Sequence, residues 1–226
     1  MKKNITYILA SGSPRRIEMT HAHGYDPIIC PADIDENIPL HHGMKETVMF
    51  LALKKARAAE AKLLSGQCED ESSLSEGKLP CDGKAASMQT PSESPSTSII
   101  IAADTIVYKD EIMGKPKDKD DARRILMSLS GDTHYVVTGC ALLEAGKEHA
   151  SVFAEATKVY VNDVSAEEIE AYISTDEPYD KAGGYAIQGA FGKYIDHIEG
   201  DYDNVVGFPW SRIETELSKF ISQISD

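Results

Sequence analysis

The stretch ITYILASGSPRRIEM, residues 5–19, decides the fold of this chain. Its first six residues are mostly apolar and predict a short buried strand. A Ser-Gly-Ser loop at 11–13 follows, and Pro14 comes next, so a serine N-cap and a proline at the first helical position predict a helix start. We expect this helix to run to about His23 and to end at Gly24, since glycine is the residue that most often terminates helices. The chain therefore opens with a strand, a loop and a helix.

The same loop is a candidate site for a phosphate group. Backbone N–H groups at a helix start bind phosphate oxygens, and the helix dipole adds to the attraction, so Ser11 and Ser13 are candidate binding residues. Arg15 and Arg16 lie in the first helical turn, where positive charge opposes the dipole at a cost of roughly a few tenths of a kcal/mol each. An anionic partner explains them, because guanidinium groups hold phosphates through paired hydrogen bonds. The alternative is two solvated arginines.

The rest of the chain alternates irregularly between helical and strand patterns. Helical periodicity and capping signals predict helices over 44–64, over 118–128, from Ser165 and over 210–223. Apolar runs and alternation predict strands over 99–108, 133–143, 149–161 and 193–198, with a hairpin return at 111–114. This order favours an α/β fold with a mixed sheet and helices on its faces over a purely doubly wound sheet.

Residues 65–98 differ in composition from everything around them. The segment contains nine serines, three prolines and six acidic residues, and it has almost no apolar periodicity. Such a composition cannot bury enough apolar surface to order itself, which predicts a disordered surface insertion. We therefore expect one domain over 1–226 with this insertion inside it. A phosphorylation site at Ser94-Pro95 is the alternative reading of the segment.

The overall composition excludes several classes of protein. A net charge of −14 over 226 residues argues against nucleic-acid binding, which requires a basic surface. No apolar run approaches the length of a signal peptide core or a membrane span, so we expect a soluble, cytoplasmic protein. Four separated cysteines without a CxxC pair predict reduced, unremarkable thiols. An acidic protein with an anionic substrate must concentrate its basic residues locally or use a metal ion.

Asp104 is the strongest candidate for a catalytic carboxylate. It follows the apolar run IIIAA, and a carboxylate in a buried strand is costly unless it is paired or binds a metal. It therefore suits a general base or a magnesium ligand, with the Thr105 hydroxyl beside it. A turn or capping aspartate is the alternative. Asp35 and Glu36 are a weaker candidate for a second acidic arm around a divalent ion.

Candidate cations and a candidate recognition segment complete the set. Lys55 lies between apolar positions of a predicted helix, and Lys115 is held between Gly114 and Pro116. Residues 180–189, DKAGGYAIQG, combine paired glycines with a Gln-Gly, which indicates backbone passing close to a ligand. Gln188 offers both a donor and an acceptor, as recognition of a base edge requires.

Taken together, these segments resemble the Maf family. The matching segments follow in order: LASGSPRR at 9–16, PADIDE at 31–36, LALKKA at 51–56, AADTIV at 102–107, GKP at 114–116, SGDTHYVVTG at 130–139, EPYDKAGGYAIQG at 177–189 and GDYDNVVGFP at 200–209. The resemblance spans nearly the whole chain and omits only 65–98. It implies a twisted mixed sheet, similar to that of inosine-triphosphatase-like pyrophosphatases, in two lobes around a central cleft.

The resemblance also implies a function and a set of site residues. It implies hydrolysis of a nucleoside triphosphate, with dTTP and UTP favoured, to the monophosphate and pyrophosphate with the help of Mg²⁺ or Mn²⁺. Asp104 would be the proton acceptor, and Asp104 and Glu36 would hold the metal. Arg15, Thr105 and Gln188 match positions that set substrate choice. Glu36, Lys55, Arg16 and Lys115 match polar residues around the triphosphate and metal. A homodimer is a further expectation.

Two other functions stay open at this stage. One is hydrolysis of 7-methyl-GTP or another modified nucleotide, although that branch resembles a Ser-Asp-Gln sequence after the buried strand and a Glu-Gly in place of Gln188-Gly189. The other is a non-enzymatic regulator of septum formation. A regulator does not require Asp104, Lys115 and Gln188 to occur together, which favours the enzyme.

Overall fold

The predicted opening of strand, loop and helix is confirmed. The computed structural model describes residues 5–35, 43–68 and 97–225. Strand β1 spans Ile5–Leu9 and helix α1 spans Pro14–Ala22, with Gly24 in the left-handed region at φ +82°. Ser13 occupies the N-cap position, but its side chain makes no capping hydrogen bond. Instead its backbone N–H donates to the Ser11 hydroxyl at 3.2 Å, which shapes the loop before the helix.

The remaining elements follow the predicted order closely. The further strands are β2 (Ile28–Ile29), β3 (Thr97–Lys109), β4 (Glu111–Met113), β5 (Thr133–Glu144), β6 (Ala150–Val161) and β7 (Ile195–Glu199). The further helices are α2 (Met44–Leu64), α3 (Lys119–Leu129), α4 (Ala166–Ile173), α5 (Tyr202–Val206) and α6 (Trp210–Ser225). Short 3₁₀ turns occupy Glu177–Asp180, Ala182–Gly184 and Ala190–Tyr194. The capping box predicted from Ser165 is present, because Ser165 and Glu168 bond each other's backbone N–H groups.

Two predicted strand boundaries differ for identifiable reasons. β3 begins two residues earlier than predicted, since Thr97 and Ser98 pair with the start of β1. β7 begins two residues later than predicted, since the 3₁₀ turn Ala190–Tyr194 occupies the preceding residues. The segment 65–98 was predicted to be a disordered insertion, and most of it lies outside the described residues.

The seven strands form one mixed sheet in the order β2-β1-β3-β5-β6-β7, with β4 paired to β3. β1 runs parallel to β2 and β3, while β3, β5, β6 and β7 form antiparallel neighbours. β3 is the longest strand, and its two ends have different partners on the same edge. β1 pairs with residues 97–101 and β4 with residues 107–109. Within the described ranges, residues 102–106 therefore have a neighbouring strand only on the β5 side, which leaves a gap in the sheet edge.

The predicted arrangement of two lobes is confirmed by the cores. In one lobe, α3 and α4 pack on the far ends of β3, β5 and β6 around Leu126, Ile169 and Phe191. In the other lobe, α6 covers one face of the sheet around Trp210, and α2 covers the opposite face. Alternation along β3 decides which residue meets which helix, because successive side chains point to opposite faces. The lobes meet at the gap in the β3 edge.

The close packing of α2 on the sheet depends on a missing side chain. Gly139 in β5 lies directly beside Asp104 in β3. A Cβ atom built on Gly139 would lie 2.3 Å from the backbone carbonyl carbon and oxygen of Val48 in α2. Only glycine permits this approach of a helix backbone to a strand. The approach brings Lys55, two turns further along α2, to the level of Asp104.

One prediction about the cysteines was wrong. The structure joins Cys30, after β2, to Cys68, after α2, in a disulfide with a Cα–Cα distance of 5.3 Å. The two residues are 38 positions apart in sequence, and only the packing of α2 beside β2 brings them together. Cys140 is free and buried, and burial raises the pKa of its thiol to about 12, so it is an inert core thiol as predicted.

Candidate active site

A cavity of about 330 Å³ opens at the gap in the β3 edge. Its wall combines the loop before α1, one side of α2, the uncovered part of β3 and the segments after β4 and α4. The charged and hydroxyl side chains on this wall are Ser13, Arg15, Arg16, Thr47, Lys55, Asp104, Thr105, Lys115, Asp180, Lys181 and Tyr185. Because residues 102–106 lack a strand on this side, side chains from both faces of β3 reach one cavity.

Asp104 and Lys55 form the central ion pair of this cavity. The Lys55 Nζ lies 2.5 Å from the Asp104 Oδ1, and Asp104 is only 6 % exposed. Asp104 faces α2 because it has the same parity in β3 as Ile100 and Ala102, which pack against that helix. A buried carboxylate requires such a partner. The sequence prediction that Asp104 and Lys55 belong to one site is therefore supported by their geometry.

Arg15 and Lys115 face the same cavity, where the Arg15 charge helps to lower the pKa of Asp180. Within the described ranges, neither side chain forms a hydrogen bond or an ion pair, although the surface of the molecule carries many such pairs. Lys115 follows β4, and Arg15 lies in the first turn of α1. Two cations that line one cavity and have no hydrogen bond or ion pair among the described residues suit the binding of an anion. The cavity thus resolves the apparent conflict between an acidic chain and an anionic substrate.

Arg16 is placed differently from Arg15, its neighbour in sequence. Its Nε donates to the Gly207 carbonyl at 2.9 Å and its Nη1 donates to the Ala103 carbonyl at 2.7 Å. The remaining bonds go to the Thr105 hydroxyl at 3.0 Å and the Ser11 hydroxyl at 3.4 Å. Burial lowers the pKa of Arg16, and the nearby Asp104 carboxylate partly offsets this effect. These internal bonds engage most N–H groups of Arg16, so they leave little capacity for the predicted contact with a triphosphate.

A model of the family described as Maf-like protein matches residues 6–220 of this chain. The chain belongs to the Maf family. Curated relatives named dTTP/UTP pyrophosphatase cover almost its whole length. The protein of Agathobacter rectalis is 40% identical over 94% of this chain and 96% of its own, and that of Bacillus cytotoxicus is 38% identical over 100% of this chain and 99% of its own. The protein of Bacillus anthracis is 38% identical over 94% of each chain.

Two predicted site residues in the described part of the chain, Ser11 and Gln188, do not line the cavity, and a third lies outside the described residues. Gln188 is exposed and does not line the cavity, although Ala186 two positions before it does. Glu36 lies outside the described residues, so its predicted place beside Asp104 stays a prediction. Thr105 lines the cavity, but its hydroxyl already contacts the Arg16 guanidinium, the Thr138 hydroxyl at 3.0 Å and the Gly207 carbonyl at 3.4 Å.

The sequence analysis did not predict that Asp180 and Lys181 line the cavity. Lys181 donates to Asp180 Oδ1 at 2.5 Å and to the Glu177 carbonyl at 2.8 Å. The hydrogen bond from Lys181 to the Asp180 carboxylate lowers the pKa of Asp180. Both residues begin the DKAGG stretch, whose glycines alone supported the prediction of a ligand contact. The two charged residues were the sequence signal for their place on the cavity wall. With Lys181, five cationic side chains and two carboxylates in the described part of the chain line the cavity.

The described acidic residues suit only a weakly ligated metal ion. No group of three or more His, Cys, Asp or Glu side chains converges within residues 5–35, 43–68 and 97–225. Among the described residues, Asp104 is the one buried carboxylate on the cavity wall. Mg²⁺ fits such a site, because it is usually bound through one or two carboxylates together with substrate phosphates and water. In the same ranges, no helix has the length and apolar character of a transmembrane span.

A buried histidine behind the cavity makes the stability of this Maf domain depend on pH. The His134 Nε2 lies 2.6 Å from the hydroxyl of Tyr185, and burial lowers the pKa of His134 to about 4. Above pH 6.5 the imidazole is neutral in both the folded and the unfolded state. Below pH 6.5 the unfolded state binds the proton first, so stability falls as the pH decreases towards 4. We expect His134 to account for a loss of about 2 kcal/mol between pH 7 and pH 5.

The substitution His134→Gln is expected to remove this contribution. Urea unfolding at pH 7, 6 and 5 gives the free energy of unfolding at each pH. The contribution of His134 is the difference between the pH slopes of that free energy for wild type and His134→Gln. His21→Gln is a suitable control, since His21 lies half-exposed on α1. Equal pH slopes for wild type and His134→Gln would show that His134 does not resist protonation in the fold.

Proposed function

We propose that this chain hydrolyses nucleoside triphosphates, dTTP and UTP in particular, to the monophosphate and pyrophosphate. The observation that carries the proposal is the meeting of two cations, Arg15 and Lys115, with the buried Asp104–Lys55 pair in one cavity. The first feature binds a polyanion, and the second supplies a carboxylate held for proton transfer. The substrate names come from the relatives, which are called dTTP/UTP pyrophosphatases and match nearly the full chain.

The cations provide most of the binding energy for the triphosphate. Arg15 and Lys115 approach it from different elements, and the dipole of α1 adds to the attraction at its N-terminus. Lys55 and Lys181 add positive charge while they remain paired with Asp104 and Asp180. Placing these groups on four separate elements fixes the phosphate chain in one orientation. Catalysis of phosphoryl transfer rests mainly on such positioning and on electrostatic stabilisation.

Asp104 accepts the proton of the attacking water. The water oxygen forms a bond to the α-phosphorus, and the bond between that phosphorus and the oxygen bridging to the β-phosphate breaks. Pyrophosphate leaves with the bridging oxygen, and the proton passes from Asp104 to solvent. Lys55 holds the carboxylate in the geometry that the transfer needs, because its ammonium contacts Oδ1 directly. Lys115 and Arg15 neutralise the charge that develops on the leaving group.

A divalent cation, Mg²⁺ or Mn²⁺, is part of this proposal. Asp104 and Glu36 would hold it. When bound, such a cation neutralises phosphate oxygens and polarises the phosphorus that is attacked. The assignment of Arg15, Thr105 and Gln188 to substrate choice, the homodimer and the cytoplasmic location also stay predictions.

The test is a product analysis with a panel of nucleotides. We expect the purified chain, with Mg²⁺ or Mn²⁺, to release pyrophosphate from dTTP and UTP with higher kcat/KM than from dCTP, GTP or 7-methyl-GTP. In water labelled with ¹⁸O, mass spectrometry should find the label in the monophosphate, because attack occurs at the α-phosphorus. Release of orthophosphate would contradict the bond assignment. A lack of turnover with every nucleotide and both metals would favour the non-enzymatic regulator instead.

A further inference from the structure

The two adjacent arginines of the loop Ser-Pro-Arg-Arg perform different tasks. Arg15 faces the cavity and donates no hydrogen bond to a described residue, whereas Arg16 donates to four protein acceptors. A guanidinium has five N–H groups in a rigid plane, so four internal bonds leave little capacity for a phosphate. The nearby Asp104 carboxylate also partly offsets the lowering of the Arg16 pKa by burial. The two arginines therefore do not both bind phosphate.

The acceptors of Arg16 lie along the uncovered edge of β3. The Ala10 N–H donates to the Ile101 carbonyl at 2.8 Å, which is the last backbone bond from the β1 side. The next carbonyl pointing to that side belongs to Ala103, and the Arg16 Nη1 occupies it at 2.7 Å. A buried backbone carbonyl requires a partner, and no described strand supplies one here. The Arg16 side chain thus continues the hydrogen bonding of the sheet where β1 ends.

The same guanidinium connects this edge to the turn at Gly207 and to the loop before α1. Gly207 begins the turn between α5 and α6 with a φ of +106°, and its carbonyl accepts from the Arg16 Nε at 2.9 Å. The Thr105 hydroxyl is fixed by Arg16 and by Thr138 on the neighbouring strand. The peptide bond that carries the Ala103 carbonyl is the one that precedes Asp104. Its orientation determines where the Asp104 carboxylate points.

We propose that Arg16 is a positioning residue: it replaces the missing strand at the open edge of β3 and thereby fixes the peptide before Asp104 and the Gly207 turn. The role in phosphate binding belongs to Arg15. This inference rests on the proposed function for its kinetic consequence, since it assigns Asp104 to proton transfer. Its structural part rests on the hydrogen bonds alone.

The test compares Arg16→Lys with Arg15→Lys, which both keep the charge and remove the planar fork. For Arg16→Lys we expect kcat to fall about 100-fold, since small displacements of catalytic groups cost about that much, while KM stays within about threefold. The melting temperature should fall, and the Kd for inorganic tripolyphosphate, measured by calorimetry, should stay within about threefold. For Arg15→Lys we expect KM and the tripolyphosphate Kd to rise about tenfold, with an unchanged melting temperature.

The proposal is overturned if Arg16→Lys weakens tripolyphosphate binding as Arg15→Lys does while its melting temperature stays that of wild type. If Arg16→Lys does not fold, Thr105→Val tests the same network by removing one acceptor of Arg16 and keeping its charge. We then expect Thr105→Val to lower kcat at an unchanged tripolyphosphate Kd. Equal kcat for wild type and Thr105→Val would overturn the proposal.

Failure of the proposed function is distinguishable from failure of this inference. If the wild-type chain cleaves no nucleotide, the proposed function fails, but melting temperature and tripolyphosphate Kd still separate the two arginines. If the wild type is active and both lysine variants raise KM equally, only the positioning role of Arg16 fails.

Discussion

The substitution Asp104→Asn is expected to lower kcat for triphosphate hydrolysis by about a thousandfold, which is within the range that a general base contributes. Asparagine has the same shape as aspartate, but its amide accepts no proton from water. The loss should appear as slower pyrophosphate release, with a far-ultraviolet circular dichroism spectrum like that of wild type. Asp26→Asn serves as the matched control, because the Asp26 side chain is 96 % exposed on the surface. Wild-type activity in a normally folded Asp104→Asn protein would exclude Asp104 as the base.

A double variant separates proton transfer from charge pairing. Asp104→Asn also leaves the Lys55 ammonium without the carboxylate that it contacts at 2.5 Å. If Asp104 served only to neutralise Lys55, then adding Lys55→Gln would restore activity by removing the charge that Asp104 balances. We expect Asp104→Asn with Lys55→Gln to be no more active than Asp104→Asn alone. Recovery in the double variant would assign Asp104 to charge balance.

The substitution Gly139→Ala is expected to destabilise the protein by about 3 kcal/mol, near the upper end of the usual cost of overpacking. The added methyl would lie 2.3 Å from the Val48 backbone oxygen and 2.6 Å from the Met49 nitrogen. A helix backbone cannot move aside as the end of a flexible side chain can, so α2 must shift away from β5. Urea unfolding measures the loss. Gly12→Ala is the control, since its methyl would meet only the Pro31 Cβ at 3.6 Å.

Gly139→Ala should also reduce activity at temperatures where the variant is folded. Gly139 lies beside Asp104 in the sheet, and the same helix that it admits carries Lys55. A shift of α2 therefore separates the Lys55 ammonium from the Asp104 carboxylate. A free energy of unfolding within about 0.5 kcal/mol of wild type would show that the helix yields without cost, and would contradict this account of the glycine.

The sequence predicted the helices and strands because their signals are local. The helix over 44–64 ends where its apolar periodicity ends, and the capping box of Ser165 and Glu168 fixes the start of α4 within one turn. The boundaries that differed, at Thr97 and Ile195, are set by pairing with other strands or by a neighbouring turn. The disulfide between Cys30 and Cys68 depends on how α2 packs beside β2, which spacing along the chain does not reveal.

In the candidate site too, the sequence predicts the residues and only the fold brings them together. Asp104, Lys55, Arg15 and Lys115 were predicted from residue type and motif, and the structure places all four on one cavity wall. Their convergence from β3, α2, α1 and the segment after β4 is a property of the fold. Arg15 and Arg16 look equivalent in the sequence, yet they differ by about 100° around α1. One therefore points into the cavity, and the other points to the edge of β3.

The sequence by itself determined that this chain has an α/β fold opening on a strand, a loop and a helix, and that its motifs are those of the Maf family. These conclusions depend on periodicity, capping and residue order, which the chain carries locally. Only the tertiary structure decided that β3 has an open edge at 102–106, where Asp104 and Thr105 reach one cavity from opposite faces of the sheet. It also decided that Arg16 is bound internally and Arg15 is not. Both decisions come from contacts between residues far apart in sequence, such as Arg16 with Gly207, and such contacts exist only once the strands have paired and the helices have packed.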